Sequence, residues 1–212
     1  MADQPTSRIS SRKTPKQARS AELVAAILEA AVQVLAKEGA QRFTTARVAE
    51  KAGVSVGSLY QYFPNKAAIL FRLQSDEWRQ TNAMLADILG DAGKPPLARL
   101  RALVHAFIRS ECDEAAVRIA LNDAAPLYRD TPEAREARAA GNRLFERFMA
   151  AALPAASTGE RALAKSLITM TLSAVGKEFS ETARTDAQIQ AYADALADMF
   201  CAYLRHLEQP HG

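Results

Sequence analysis

The residues whose types and spacing suggest chemistry lie between positions 54 and 66. Ser58, Gln61 and Tyr62 fall on one face of a short helical stretch, with Gly57 and Tyr60 beside them. These are uncharged donors, acceptors and aromatic edges, suited to hydrogen bonding with base edges and phosphates and to packing on thymine methyls. Lys66 opens the next helix. A cation in a first turn opposes the helix dipole unless an anion is near, and a phosphate there satisfies both. Catalytic chemistry has little to stand on: no Ser/His/Asp set, carboxylate pair or G-x-x-x-x-G-K phosphate loop is visible. Two cysteines, Cys112 and Cys201, and three scattered histidines give neither a disulfide framework nor metal-ligand spacing. The expectation is therefore a binding protein, not an enzyme, without metal or cofactor.

Such a face needs elements to hold it. Leu23, Ile27, Ala31 and Val34 or Leu35 recur at helical steps, and Gly39 reads as the stop. Thr44 or Thr45 caps a short helix to about Ala52, and Ser55 caps another from Val56 to Tyr62. Gly53 supplies the backbone angles that a bend between them requires. Two short helices joined through a glycine describe a helix-turn-helix. The second is too brief to persist alone, so Val54, Leu59 and Phe63 must anchor it on Leu28, Val48 and Ile69. The string Val54–Ser58 alternates like a strand, but its length and Gly57 favour helix.

Further helices are expected from Pro64-Asn65 to about Leu89 and near 97–112, 114–125, 132–153, 158–181 and 186–208. The Gly90–Pro96 stretch, Asp130-Thr-Pro, Leu153-Pro154 and Thr185-Asp186 mark the breaks. The predicted fold is all-α with about nine helices, a three-helix N-terminal head and a larger helical body. The predicted divisions are a flexible basic arm at 1–18, a helix-turn-helix head at 19–65 and a larger helical body at 66–208, to which the family resemblance given below adds DNA binding for the head and ligand binding and dimerisation for the body.

Charge supports this division. The chain of 212 residues carries a net +3, but residues 1–75 hold +6 and the remainder −3. An anionic partner is thus expected for the first third alone. No apolar run approaches the roughly 18 residues of a membrane span, and the N-terminus lacks a secretory pattern, so the expected setting is the cytoplasm without a membrane partner.

The stretch Thr44-Thr-Ala-Arg-Val-Ala-Glu-Lys-Ala-Gly-Val-Ser-Val-Gly-Ser-Leu-Tyr-Gln-Tyr-Phe-Pro-Asn-Lys-Ala-Ala-Ile-Leu70 resembles the DNA-binding signature of TetR-family transcriptional regulators. The match spans about 27 contiguous positions, and its Thr-Thr, Ala-Gly-Val-Ser, Tyr-x-Tyr-Phe and Asn-Lys elements stand at the family's spacing. The resemblance implies double-stranded DNA as partner, with Thr45, Arg47, Ser55, Gly57, Ser58, Tyr60, Gln61, Tyr62 and Lys66 as contacts. It also implies a ligand-binding body that forms a homodimer through its last two helices, and a small-molecule effector.

The body's own pattern agrees. Leu163, Leu167, Ile168, Thr171, Leu172, Val175 and Phe179 make one broad stripe, with Gly176 allowing a close neighbour. Ile189, Tyr192, Leu196, Met199 or Phe200, Tyr203 and Leu207 make another, and one protomer can absorb only part of both. The interface is expected at Leu172, Val175, Phe179, Tyr192, Leu196, Phe200 and Tyr203 of an isologous four-helix bundle. Candidate walls of a ligand site are Trp78, His105, Ile108, Cys112, Tyr128, Phe145, Phe148 and Met149, a lining that suits an apolar or amphipathic molecule. The functional expectation is a dimeric repressor that such a ligand releases from a palindromic operator. The alternative is a DNA-binding activator or partner-recruiting factor without an effector.

Overall fold

The computed structural model describes residues 18–124, 126 and 131–209. The expected basic arm falls almost wholly outside them, as does Tyr128. Among the described residues there are nine α-helices and no strands: α1 (Ala18–Arg42), α2 (Thr45–Lys51), α3 (Val56–Tyr60), α4 (Lys66–Gly90), α5 (Pro96–Asp113), α6 (Ala115–Ala124), α7 (Pro132–Ala152), α8 (Thr158–Ser180) and α9 (Asp186–Glu208). None of them is long and apolar enough to cross a membrane.

The described residues form two compact units. One runs through Trp78 and includes Ala116–Arg135; the other comprises Arg79–Ala115 and the residues from Glu136 onward. Helix α6 therefore packs with the N-terminal helices, and its Ala120, Leu121 and Ala124 belong to their core. Helix α4 supplies both cores, with Ile69, Leu70 and Leu73 in the first and Leu85 and Leu89 in the second.

In the first unit the α1 stripe is buried as its period requires: Val24, Ile27, Ala31, Val34 and Leu35. Gly39 lies at φ +72°, so the regular helix breaks there and a last turn leads to Arg42. Phe43, Leu59 and Phe63 are fully buried, each side chain contributing about 1.5–3 kcal/mol of burial energy. The anchor set Val48, Leu59, Phe63 and Ile69 is buried together, and Leu28 and Val54 pack against it.

In the second unit α5 packs on both α8 and α9. Its core holds Leu100, Leu103, Val104 and Ile108 against Ile168, Leu172, Ala193, Leu196 and Phe200. The glycine expected to admit a close neighbour does so within the protomer. A Cβ at Gly176 would stand 2.9 Å from Phe107 Cε1 and 3.1 Å from Glu111 Cγ, both on α5. Capping boxes start α8 at Ser157 with Glu160 and α9 at Thr185 with Gln188.

Candidate nucleic-acid interface

The helix-turn-helix is built from local signals. The Thr44 hydroxyl accepts from the Arg47 amide at 3.3 Å and caps α2, and the Ser55 hydroxyl accepts from the Ser58 amide at 3.0 Å and caps α3. Between them Gly53 sits at φ +66°, a conformation that costs an L-residue about 1–2 kcal/mol. The Val54 amide donates back to the Ala49 carbonyl at 3.0 Å, closing the turn. The Asn65 side chain accepts from the Ala68 amide at 2.9 Å, which starts α4 and places Lys66, exposed, in its first turn.

Ser55, Gly57, Tyr60 and Gln61 are exposed, and Ser58 and Thr45 partly so. The Thr45 and Tyr60 hydroxyls lie 3.1 Å apart, tying the start of α2 to the end of α3. The Ser55 and Ser58 hydroxyls are 2.8 Å apart. Tyr62 differs from the expectation of a presented face: it is 6% exposed and packs in the head core. The helix ends at Tyr60, and the Tyr62 and Phe63 amides both turn back to the Leu59 carbonyl, which carries both rings inward.

Arg47 is not a free cation. Its Nη1 pairs with the Glu38 carboxylate and also donates to the Arg42 carbonyl at 3.3 Å. These residues border a groove of about 850 Å³ lined by Gln33, Val34, Lys37, Glu38, Arg42, Arg47, Glu50 and Lys51. Sequence reading missed Glu38, because the pair bridges nine positions across the Gly39 break and no helical repeat announces it.

The expected ligand walls separate. Ile108, Phe145, Phe148 and Met149 lie together in the second core, and Cys112 packs against its edge. Trp78 instead packs against the first core. His105 is a polar-network residue: its Nε2 is 3.1 Å from Asp194, a carboxylate that also faces Arg101 at 3.6 Å. Burial, with Asp113 nearby, pushes the Cys112 thiol up, away from a reactive thiolate. A groove of about 390 Å³ opens between α7 and α8, lined by Glu146, Met149, Ala150, Thr158, Arg161, Ala162 and Lys165. Of the expected walls it includes Met149.

The expected interface residues also divide. Leu172, Leu196 and Phe200 are spent on the protomer's own core. Phe179 and Tyr192 stack on each other at 4.0 Å, and they, Val175 and Tyr203 are partly exposed. The apolar side chains left open on these helices are Leu163, Leu167, Met170 and Met199, at 64%, 48%, 69% and 51% exposure.

Residues 27–73 match the model of bacterial regulatory proteins of the tetR family, and residues 95–207 match the tetracyclin repressor-like C-terminal domain. The chain is 36% identical over 123 residues to nucleoid occlusion factor SlmA of Vibrio campbellii, a match covering 57% of this chain and 60% of that protein. It is 32% identical over 120 residues to the HTH-type transcriptional regulator BetI of Stenotrophomonas maltophilia, covering 56% and 61%. The chain thus spans about 60% of the length of these curated relatives. The fold is similar to that of the fatty acid degradation regulator FadR from Bacillus halodurans, with a TM-score of 0.68, 20% identity, and 89% and 97% of the two chains covered.

Proposed function

Since the chain belongs to the tetR family of DNA-binding transcriptional regulators, we propose that it acts as a dimeric repressor whose palindromic operator is released by a small apolar or amphipathic molecule. The observation that carries the dimer is the row Leu163, Leu167 and Met170 on α8, with Met199 on α9, which a protomer leaves in water. Paired across a two-fold axis, these helices make a four-helix bundle, and two heads about 34 Å apart meet successive major grooves. This row, with the partly exposed Val175, Phe179, Tyr192 and Tyr203, replaces the buried Leu172, Leu196 and Phe200 as the interface we assign.

The DNA contacts we assign are Thr45, Arg47, Ser55, Gly57, Ser58, Tyr60, Gln61 and Lys66, with Tyr62 restricted to the rim of its buried ring. Functionally we keep the head at 19–65 and the effector and dimer region at 66–208. The effector enters at the α7–α8 groove, where Met149 joins the core cluster of Ile108, Phe145 and Phe148. The groove's Met149, Ala150 and Ala162 stand beside Arg161, while Lys165 is paired with Glu146 at 2.8 Å, and this lining suits an amphipathic molecule whose acidic end meets Arg161. Release requires that this molecule bind the DNA-free arrangement more tightly, so operator and effector weaken each other reciprocally.

The test is titration of acidic amphiphiles, such as medium- and long-chain fatty acids and their thioesters, against a labelled operator. Release of the operator by one of them, abolished by Ala150→Trp filling the groove while DNA binding persists, supports the reading. A compound that binds the dimer and leaves operator affinity unchanged contradicts it.

A further inference from the structure

Arg47 sits in the first turn of α2, and its guanidinium is held at one end only. Nη1 meets the Glu38 carboxylate and the Arg42 carbonyl, and among the described residues Nε and Nη2 have no protein partner. Glu38 is the residue before the Gly39 break that ends the regular part of α1, and its carboxylate meets Arg47 across that break. Anchoring one donor of a planar fork leaves its opposite edge oriented, and that edge is the bidentate partner of a phosphate. The groove beside it has room for such a group, and its lining carries Lys37, Arg42, Arg47 and Lys51 against the carboxylates Glu38 and Glu50, a net positive balance.

We propose that Glu38 is a positioning residue for DNA binding: it orients Arg47 so that the free edge of the guanidinium receives a backbone phosphate of the DNA. This rests on the reading of the head as the DNA-binding unit. Two opposing effects give the test its sign. A carboxylate beside DNA repels it, so a Glu38 that acts through charge alone weakens binding, and its removal raises affinity. A Glu38 that orients Arg47 strengthens binding, and its removal lowers affinity. The pair is partly exposed, with 39% and 26% of the two side chains accessible, so neither substitution leaves a buried charge behind.

The experiment measures operator affinity of the full-length protein at fixed salt for Glu38→Ala, Glu38→Gln, Arg47→Ala and the Glu38→Ala/Arg47→Ala double variant. The expected result is a loss of about three- to tenfold for Glu38→Ala, the range of one ordinary net hydrogen bond, as suits a partly exposed pair. Glu38→Gln, which keeps an acceptor for Nη1, stays within about twofold of wild type. In the Arg47→Ala background, Glu38→Ala has no further effect. Unchanged or raised affinity for Glu38→Ala overturns the proposal, as does an equal loss in the Arg47→Ala background. Failure of the wild-type protein to bind any duplex overturns the DNA-binding reading beneath it, and is told apart by the wild type alone.

Discussion

The Thr45 hydroxyl and the Tyr60 hydroxyl stand 3.1 Å apart, one in the first turn of α2 and the other at the last residue of α3. Helix α3 is only five residues long. A side-chain bond between α2 and α3 therefore fixes the recognition helix where backbone cooperativity cannot. It also holds the phenol, 40% exposed, in one orientation before DNA arrives.

Removing either hydroxyl should weaken operator binding by loosening α3 against α2. Thr45→Val and Tyr60→Phe are each expected to weaken operator binding by about 0.5–1.5 kcal/mol, and the double variant by less than the sum. A double-mutant cycle of binding free energies checks this; strict additivity would show that the two hydroxyls act independently.

Gln61 and Lys66 should fail in different ways. Gln61→Ala is expected to relax discrimination at one or two base pairs by about 1–3 kcal/mol each, as the loss of a base-edge contact does. Lys66→Ala should weaken all duplexes alike and reduce the salt slope by about 1. Binding to a panel of single-base operator variants across a salt series separates the two. An unchanged base preference for Gln61→Ala would remove it from the recognition face.

The end of the recognition segment shows what the sequence could and could not disclose. Ser55, Gly53 and Asn65 announce themselves, because caps and bends are local chemistry, and all three act where their neighbours place them. Tyr62 does not, because the helical face that would present it stops at Tyr60. Helix α8 poses a similar ambiguity. Ile168 and Leu172 point inward while Leu167 and Met170 stay in water, and a helix apolar on both sides carries no internal mark of which side is which. The membership of α6 in the head core and the Glu38–Arg47 pair depend on packing across the chain, which no periodicity encodes.

That division of α8 and α9 makes a contrast in association. Leu167→Glu or Met170→Glu is expected to give folded monomers with weakened operator binding. Leu196→Glu should instead unfold the second unit, since the residue is 8% exposed and a buried unpaired carboxylate costs several kcal/mol. Sedimentation velocity with thermal melts reads both. A Met170→Glu/Leu167→Glu protein that remains dimeric would refute the assigned face.

Gly176→Ala tests the packing of α8 on α5. The added methyl meets Phe107 and Glu111 at 2.9 and 3.1 Å, so overpacking should outweigh the better helix propensity of alanine and destabilise by about 1–3 kcal/mol. Urea unfolding measures it; a stabilised protein would mean that the Phe107 ring moves aside without cost.

The central claim, a dimer that reads DNA through α3, is tested most directly by selecting genomic fragments with the purified protein and measuring the winning site over a salt series. The account predicts a palindromic site with half-sites about one helical turn apart, and a log affinity falling against log salt with a slope of about −5 to −8, as six to nine phosphate contacts require. A selected site without two-fold symmetry, bound by one protomer with half that slope or less, would contradict it.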